Sequence, residues 1–297
     1  MDFPELIKDK VDFYLHRFSR KISAGYRNSI VLDGNGKVYI LGSTRQDPMN
    51  ITVHIPGIVA ISAGGEYSLA LDVDGKVHSC DKVYPIPKYL PKIVAISAGH
   101  YHSLALDTDG RIYAWGSNIS GQITIPTNIP QIVAISAGGQ HSLVLDVKGK
   151  VHAWGDYFEA LIPTYQPKIV NISSGYWHSL ALDANGIVYA WGENNNGELD
   201  IPSDLPKIVA ISAGGNHSMA LDVNGRVHCW GLNIYGQTDI PIYLPQIVAI
   251  SGGGFHSMAL DVNGKVYAWG RNVYGQTDIP TDLNFGNIEV KRIFQLI

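Results

Sequence analysis

The sequence repeats a segment of about 38 residues seven times, and this periodicity restricts the fold more than any other feature. Each unit starts with an Ile-Ser-Ala-Gly-like segment. It continues into His-Ser-Leu-Ala-Leu-Asp-x-x-Gly-x-Val-Tyr-Ala-Trp-Gly, which is clearest at 102–116. Successive units start 35 to 39 residues apart, at Ile22, Ile61, Ile96, Ile135, Ile172, Ile211 and Ile250. A fixed period of this length indicates a repeat architecture.

Each unit has the pattern of a β-hairpin. In the third unit His102, Leu104 and Leu106 alternate with smaller or polar residues, which is the two-residue period of a strand. Asp107 and Gly110 then mark a turn, and a second alternating run follows. A unit of this length accommodates about four strands of ~5–6 residues. Radial repetition of four-stranded sheets is a β-propeller. The sequence therefore predicts an all-β protein, a seven-bladed β-propeller over residues 18–287.

The same residues resemble the RCC1 (regulator of chromosome condensation) repeat. The resemblance covers about 18–287. It rests on Gly-x-x-His-Ser-Leu-Ala-Leu-Asp and on Val-Tyr-Ala-Trp-Gly-x-Asn-x-x-Gly-Gln at 266–276. The Gly-Gln-Thr-Asp-Ile-Pro endings at 236–241 and 275–280 are similar to the short, regular repeats of bacterial and viral RCC1-like proteins. The resemblance implies a seven-bladed propeller and, from the founding member, guanine-nucleotide exchange on a Ran-like small GTPase. In the family that activity is associated with a protruding hairpin insertion, for which these unit lengths leave no room.

Three segments depart from the repeat. Apolar spacing in residues 1–17 predicts a short helix packed on the propeller, with a partner-binding arm as the alternative. The alternating tail, 288–297, is predicted to close the ring as an edge strand. The second unit is the shortest, has Cys80 where others have Trp, and lacks Asn-x-x-Gly-Gln. We expect this blade to be the least regular, with a short outer edge.

Charge, apolar runs and cysteine positions argue against several classes of function and location. The net charge of −4 argues against general binding of nucleic acid. No apolar run approaches the ~20 residues of a membrane helix, and the N-terminus lacks a secretion signal. We expect an intracellular monomer, cytoplasmic by default with the nucleus as the alternative. Cys80 and Cys229 occupy adjacent repeat columns that face opposite sides of a strand, so no disulfide is expected.

The histidines follow the repeat. Five fill one column and three fill another, at His102, His141, His178, His217 and His256, and at His78, His152 and His228. A side chain required in most blades is interpreted as a packing and hydrogen-bonding residue. The Trp column is interpreted as core. Members of a column lie in different blades and do not converge on one ion. We therefore predict no metal, no cofactor and no catalytic residue.

Two positions before the His column vary from unit to unit and should lie at turns on one end of the ring. Exposed aromatic residues at such turns favour recognition of a partner. Together with two tyrosines of the irregular second unit, they give the candidate partner-binding residues Tyr26, Arg27, Glu66, His100, Tyr101, Gln140, Tyr176, Trp177, Asn216, Phe255, Tyr84 and Tyr89. The favoured function is a non-enzymatic protein–protein interaction scaffold for an unidentified protein. Nucleotide exchange is the alternative, and a bacterial-type enzyme inhibitor, which would require secretion, is the third.

Overall fold

Seven antiparallel sheets, one for each repeat, make up the computed structural model, which describes residues 19–43, 51–53, 55–79, 84–156, 162–163, 166–283 and 285. The predicted all-β, seven-bladed propeller is confirmed. The helix predicted in 1–17 and the closing strand predicted at 288–297 lie outside the described residues. We number the blades in the order of the repeats.

The strands of the first three blades are β1 (Ile22–Ala24), β2 (Asn28–Leu32), β3 (Val38–Gly42), β4 (Ile51–Val53), β5 (Ile58–Ala63), β6 (Ser68–Asp72), β7 (Val77–Ser79), β8 (Ile93–Ala98), β9 (His102–Asp107) and β10 (Ile112–Gly116). Those of the last four are β11 (Ile132–Ala137), β12 (His141–Asp146), β13 (Val151–Gly155), β14 (Ile169–Ser174), β15 (His178–Asp183), β16 (Val188–Gly192), β17 (Ile208–Ala213), β18 (His217–Asp222), β19 (Val227–Gly231), β20 (Ile247–Gly252), β21 (His256–Asp261) and β22 (Val266–Gly270).

The prediction of four strands in each blade is wrong for most blades. Within the described ranges only the first blade has a fourth strand, β4, and the other six sheets have three. The segment after β10 is instead a turn in which Asn118 Oδ1 accepts the Ile123 N–H at 3.1 Å. Pro126 follows, and a proline has no N–H to donate to a ladder. Side-chain capping and proline therefore replace the outer strand.

Within the described residues, the second blade has the shortest third strand of the seven. Its β7 has three residues, whereas the third strands of the other blades have five. Cys80, which takes the place of the repeat's Trp, lies outside the described residues.

The middle strand of each blade is packed on both faces because it lies between two neighbouring blades. All six residues of β9 are buried. Leu104 and Leu106 form one apolar cluster with Val144 and Trp154 of the next blade. The Trp column is buried as predicted, at Trp115, Trp154, Trp191, Trp230 and Trp269. The core is thus a set of layers between blades, so each blade depends on its neighbours for burial.

A ring of serine hydroxyls joins the innermost strands. In each blade the Ser of the Ile-Ser-Ala segment accepts a hydrogen bond from a backbone N–H of the next blade. The pairs, each 2.9 Å apart, are Ser23 with Ala63, Ser62 with Ala98, Ser97 with Ala137, Ser136 with Ser174, Ser173 with Ala213, Ser212 with Gly252 and Ser251 with Ala24. The last pair joins blade seven to blade one, so the described residues close the ring.

The main histidine column forms a second ring. Each His Nε2 bonds the Ser Oγ of the following blade, in the pairs His102–Ser142 (2.9 Å), His141–Ser179 (3.0 Å), His178–Ser218 (3.0 Å), His217–Ser257 (2.9 Å) and His256–Ser29 (2.7 Å). Asn28 replaces His in blade one and donates to Ser68 Oγ at 3.2 Å. Tyr67 replaces it in blade two, with its hydroxyl 2.9 Å from Ser103 Oγ. The packing and hydrogen-bonding interpretation of this column is confirmed.

These histidines are neutral in the folded chain. The Ser218 hydroxyl donates to the Glu198 carbonyl at 2.9 Å, so its oxygen must accept from His178 Nε2–H. Within the described ranges, Nδ1 of His102, His178, His217 and His256 is buried without a hydrogen-bond partner, so a second proton there would have no acceptor. Burial lowers the pKa of His102, His141, His217 and His256 to about 3 and that of His178 to about 4.

The second histidine column belongs to the hairpin turns. Asp146 Oδ1 accepts the N–H groups of Lys148 and Lys150 at 2.9 and 3.0 Å, and its Oδ2 lies 2.9 Å from His152 Nε2. Tyr takes the same place in other blades, as where the Tyr113 hydroxyl donates to Asp107 at 3.0 Å. The carboxylate thus closes its own turn and holds the third strand.

The buried histidines predict acid sensitivity. Below pH 6.5 the unfolded chain protonates these side chains and the folded chain does not, so each costs up to about 1.4 kcal/mol of stability per pH unit. Thermal melting between pH 7 and pH 4 should show Tm falling steadily below pH 6.5. His217→Asn, chosen to match Asn28 of blade one, should reduce the loss by roughly a fifth. Equal Tm values at pH 7 and pH 4.5 would contradict this prediction.

Candidate functional site

One end of the ring carries the two variable first-turn positions of every blade. Neighbouring strands are antiparallel, so the turn between the first and second strands lies at the same end as the exit from the third. In blade seven the Arg271 N–H donates to the Phe255 carbonyl at 2.9 Å, which joins these two segments. We call this end, formed by the first turn and the third-strand exit of every blade, the loop face.

The centre of the loop face is the mouth of a narrow channel. A cavity of about 80 Å³ is lined by Ala and Gly residues of the seven blades, by Ser174 and by three rings, Tyr26, His100 and Tyr176. The His100 ring lies 4.6 Å from that of Tyr26 and 4.8 Å from that of Tyr176, both edge to face. Such pairs stabilise one another by about 0.5–1.5 kcal/mol beyond their burial. Side chains from blades one, three and five therefore meet above the channel.

Glycine between these blades makes room for the rings. The corresponding positions of the other four blades are all glycine, at Gly65, Gly139, Gly215 and Gly254. A Cβ on Gly139 would lie 2.3 Å from the Tyr176 carbonyl oxygen, and one on Gly65 would lie 2.4 Å from that of His100. The glycine backbone of the intervening blades thus separates the three rings and fixes their positions.

A polar pocket of about 260 Å³ adjoins the rings, and we call it the blade-two pocket. It is lined by Tyr26, Arg27, Glu66, Tyr67, Tyr84, His100, Tyr101 and Tyr176. All but Tyr67 are among the residues predicted from sequence. Arg27 donates to Glu66 at 3.1 Å across its floor. Burial, followed by a hydrogen bond with Tyr101, raises the pKa of Tyr176, so this hydroxyl stays protonated.

The pocket lies where the repeat is broken. In regular units the turn after the third strand fills the space beside the next blade's first turn. Ser120 donates to Gln140 of the following blade at 2.7 Å, and the Tyr235 ring lies 5.4 Å from that of Phe255. The second unit has no Asn-x-x-Gly-Gln turn, and Tyr84 of its outer connection lines the pocket.

The other predicted residues lie around this centre. Trp177 packs 4.9 Å from Tyr176, and Phe255 packs 5.4 Å from Tyr26. Gln140 and Asn216 occupy first turns of blades four and six and do not line the pocket. Tyr89 is 83% exposed and also lies outside the pocket lining. The structure thus gathers seven of the twelve predicted residues into one site.

Sequence reasoning missed a second group on the loop face. Arg271 lies over the rings of Tyr235 and Tyr274, its guanidinium carbon 4.8 and 5.6 Å from their centroids. These residues come from the third-strand exit and the turn after it, whereas the sequence search considered the first turns. The antiparallel pattern of the strands could have predicted this group, because it places the first turn and the third-strand exit at the same end of each blade.

No group of three or more His, Cys, Asp or Glu side chains in the described residues is placed to hold a metal ion. Burial raises the pKa of Cys229, a free cysteine, to about 12, which suppresses the reactive thiolate. In the same residues no helix is long and apolar enough to cross a membrane.

The spacing role of glycine can be tested with one pair of variants. Gly139→Ala should displace Tyr176, because backbone rather than a flexible side chain obstructs the new Cβ. We expect a lower Tm and a changed near-ultraviolet circular dichroism spectrum from the ring cluster. Gly36→Ala is the control, since it has φ of +81° and open space around it. It should cost roughly 1–2 kcal/mol from strain alone and leave that spectrum unchanged. An unchanged spectrum for Gly139→Ala would contradict the spacing role.

Known proteins share this architecture. Prp20p of Saccharomyces cerevisiae, described with its binding properties to Gsp1p and histones, superposes with a TM-score of 0.66 and 20% identity, over 83% of each chain. Human WBSCR16 gives a TM-score of 0.67 at 20% identity, over 82% of this chain and 86% of that one. The ectodomain of the Arabidopsis thaliana receptor kinase ACR4 gives 0.63 at 18%, over 84% and 95%. At these identities the likeness shows the fold alone.

A search of curated protein sequences gave no significant match. The sequence profile of the RCC1-like domain matches residues 90–293, more than half of the chain. Together with the seven repeats and their closed ring, this match shows that the chain belongs to the RCC1-like domain family.

Proposed function

We propose that this chain is a non-enzymatic interaction scaffold that binds a partner protein through the loop face, with the blade-two pocket at the centre of contact. The observation that carries the proposal is the convergence of variable aromatic and charged side chains where the repeat is interrupted. The ring does not require Tyr26, His100 or Tyr176, because the other four blades have glycine in the same column. In the next column, Gln140 and Asn216 stand where blade three has Tyr101.

The physical setting supports recognition. Tyr, Trp and Arg are the side chains that most often dominate binding energy at protein interfaces, particularly in central pockets. Here Tyr26, Tyr101 and Tyr176 are half-buried and held by ring contacts and glycine spacing. Little side-chain entropy remains to be lost on binding, which favours affinity. Loops on a rigid scaffold commonly serve this purpose.

Affinity capture from the source cells, followed by mass spectrometry, identifies the partner, and variants then test the site. Tyr84→Ala and Tyr101→Ala should each weaken binding of that partner by at least about tenfold. Tyr89→Ala tests whether the site extends beyond the pocket. Tyr243→Ala, which removes a ring that is 91% exposed and lies outside the pocket lining, is the matched control. Unchanged affinity of both pocket variants would overturn the site.

Nucleotide exchange on a Ran-like GTPase is the alternative, since Prp20p is described with binding to Gsp1p. The unit spacing of 35 to 39 residues argues against it, because no unit has room for the inserted hairpin associated with exchange. We expect the purified chain to leave release of a fluorescent guanine nucleotide from Ran at its intrinsic rate. Accelerated release would make exchange the better assignment.

A further inference from the structure

Two arginines of adjacent blades share one aromatic ring on the loop face. The guanidinium carbons of Arg27 and Arg271 lie 5.2 and 5.6 Å from the Tyr274 ring centroid. Arg271 also lies over the rings of Tyr235 and Phe255, at 4.8 and 5.6 Å. Contacts of this kind with an aromatic face attract a cation and fix its place. We call these five residues the arginine cluster.

The repeat itself does not call for these cations. Arg271 directly follows the Trp-Gly pair. The residues in the same column of the other units are Ser43, Lys82, Ser117, Asp156, Glu193 and Leu232, so only one of these six is also a cation. Arg27 is the one cation in its column of first-turn residues. Both arginines of these two columns therefore belong to blades seven and one, whereas the acidic members, Glu66, Asp156 and Glu193, belong to blades two, four and five. Such an asymmetric face orients an oppositely charged partner.

The two arginines differ in what balances their charge. Arg27 is paired with Glu66 at 3.1 Å. Among the described residues, no side-chain hydrogen bond or ion pair involves Arg271, and its Nε is buried without an acceptor. A guanidinium has donors only, arranged in a planar fork that matches a carboxylate. Since three rings already hold it, Arg271 would lose little entropy on pairing with an external carboxylate.

Two exposed apolar side chains adjoin cluster residues in the sequence. Ile234 and Val273 are 67% and 70% exposed, and each precedes a cluster tyrosine in sequence. We propose that the arginine cluster docks an acidic segment of a partner protein, with an Asp or Glu carboxylate on Arg271 and apolar neighbours against Ile234 and Val273. This site rests on the proposed function, because it lies on the same loop face, and it specifies the chemistry of the partner.

Display selection with random 12-residue peptides on the full chain tests this inference. The wild-type protein should enrich peptides with an Asp or Glu beside apolar residues. Arg271→Gln should lower the affinity of a selected synthetic peptide at least about tenfold, the loss expected for one charge-assisted hydrogen bond. Replacing the peptide's acid by its amide should have the same effect. Wild-type affinity should fall as salt rises. Arg226→Gln, at a hairpin turn on the opposite end of the ring, is the matched control and should bind as wild type does.

Several outcomes would overturn the inference. They are no enrichment of acidic peptides, equal binding by Arg271→Gln at unchanged Tm, or Arg271-dependent binding of fluorescein-labelled single-stranded DNA without binding of acidic peptides. Failure here is distinguishable from failure of the proposed function. If the selected peptides lack an acid but lose affinity with Tyr84→Ala or Tyr101→Ala, the loop face binds protein and only the assignment to Arg271 is wrong.

Discussion

The ring depends on one hydrogen bond repeated at every blade boundary, that of a serine hydroxyl on the middle strand with a polar side chain of the preceding blade. Five boundaries use His, one uses Asn28 and one uses Tyr67. A buried hydroxyl without a partner would cost about 1–3 kcal/mol. The bond therefore matters chiefly because a blade that failed to make it would be destabilised. It admits only blades that stand at the correct distance and register. The apolar layers between blades supply the larger share of the free energy of folding.

The contrast between residues packed between blades and residues at the loop face explains where recognition residues can arise. Residues that face a neighbouring blade must pack against it or hydrogen-bond with it, and they vary little from unit to unit. At the loop face this condition applies to the glycines, because an added Cβ would meet the backbone of a neighbouring blade. The residues that follow them, such as Glu66 and Gln140, differ from blade to blade without disturbing the layers. The blade-two pocket shows the extreme case, because loss of an entire turn leaves the serine ring and its hydrogen bonds intact.

Much of the structure could be predicted from the sequence, because the repeat averages over local irregularity. The hairpins, the turn carboxylates and the structural role of His102 and its column all follow from periodicity. The absence of a fourth strand from six of the described sheets does not follow from periodicity. The place of that strand in the sequence has a strand-like length, but Asn118 caps a turn there and Pro126 prevents a ladder. Arg271 and Tyr274 were missed because their meeting depends on how adjacent blades are placed, which a one-dimensional repeat does not state.

The odd number of blades limits how large side chains and glycines can alternate at the channel mouth. Blades one to six alternate between a large side chain and none, from Tyr26 to Gly215. Seven is odd, so strict alternation around a closed ring is impossible, and at least one pair of neighbours must be alike. Here they are Gly215 and Gly254, and an added Cβ on Gly254 would lie 2.6 Å from the Tyr26 ring. If large side chains are never neighbours, a seven-bladed ring has at least one place where two bare blades adjoin. A six- or eight-bladed ring under the same condition can alternate without such a place.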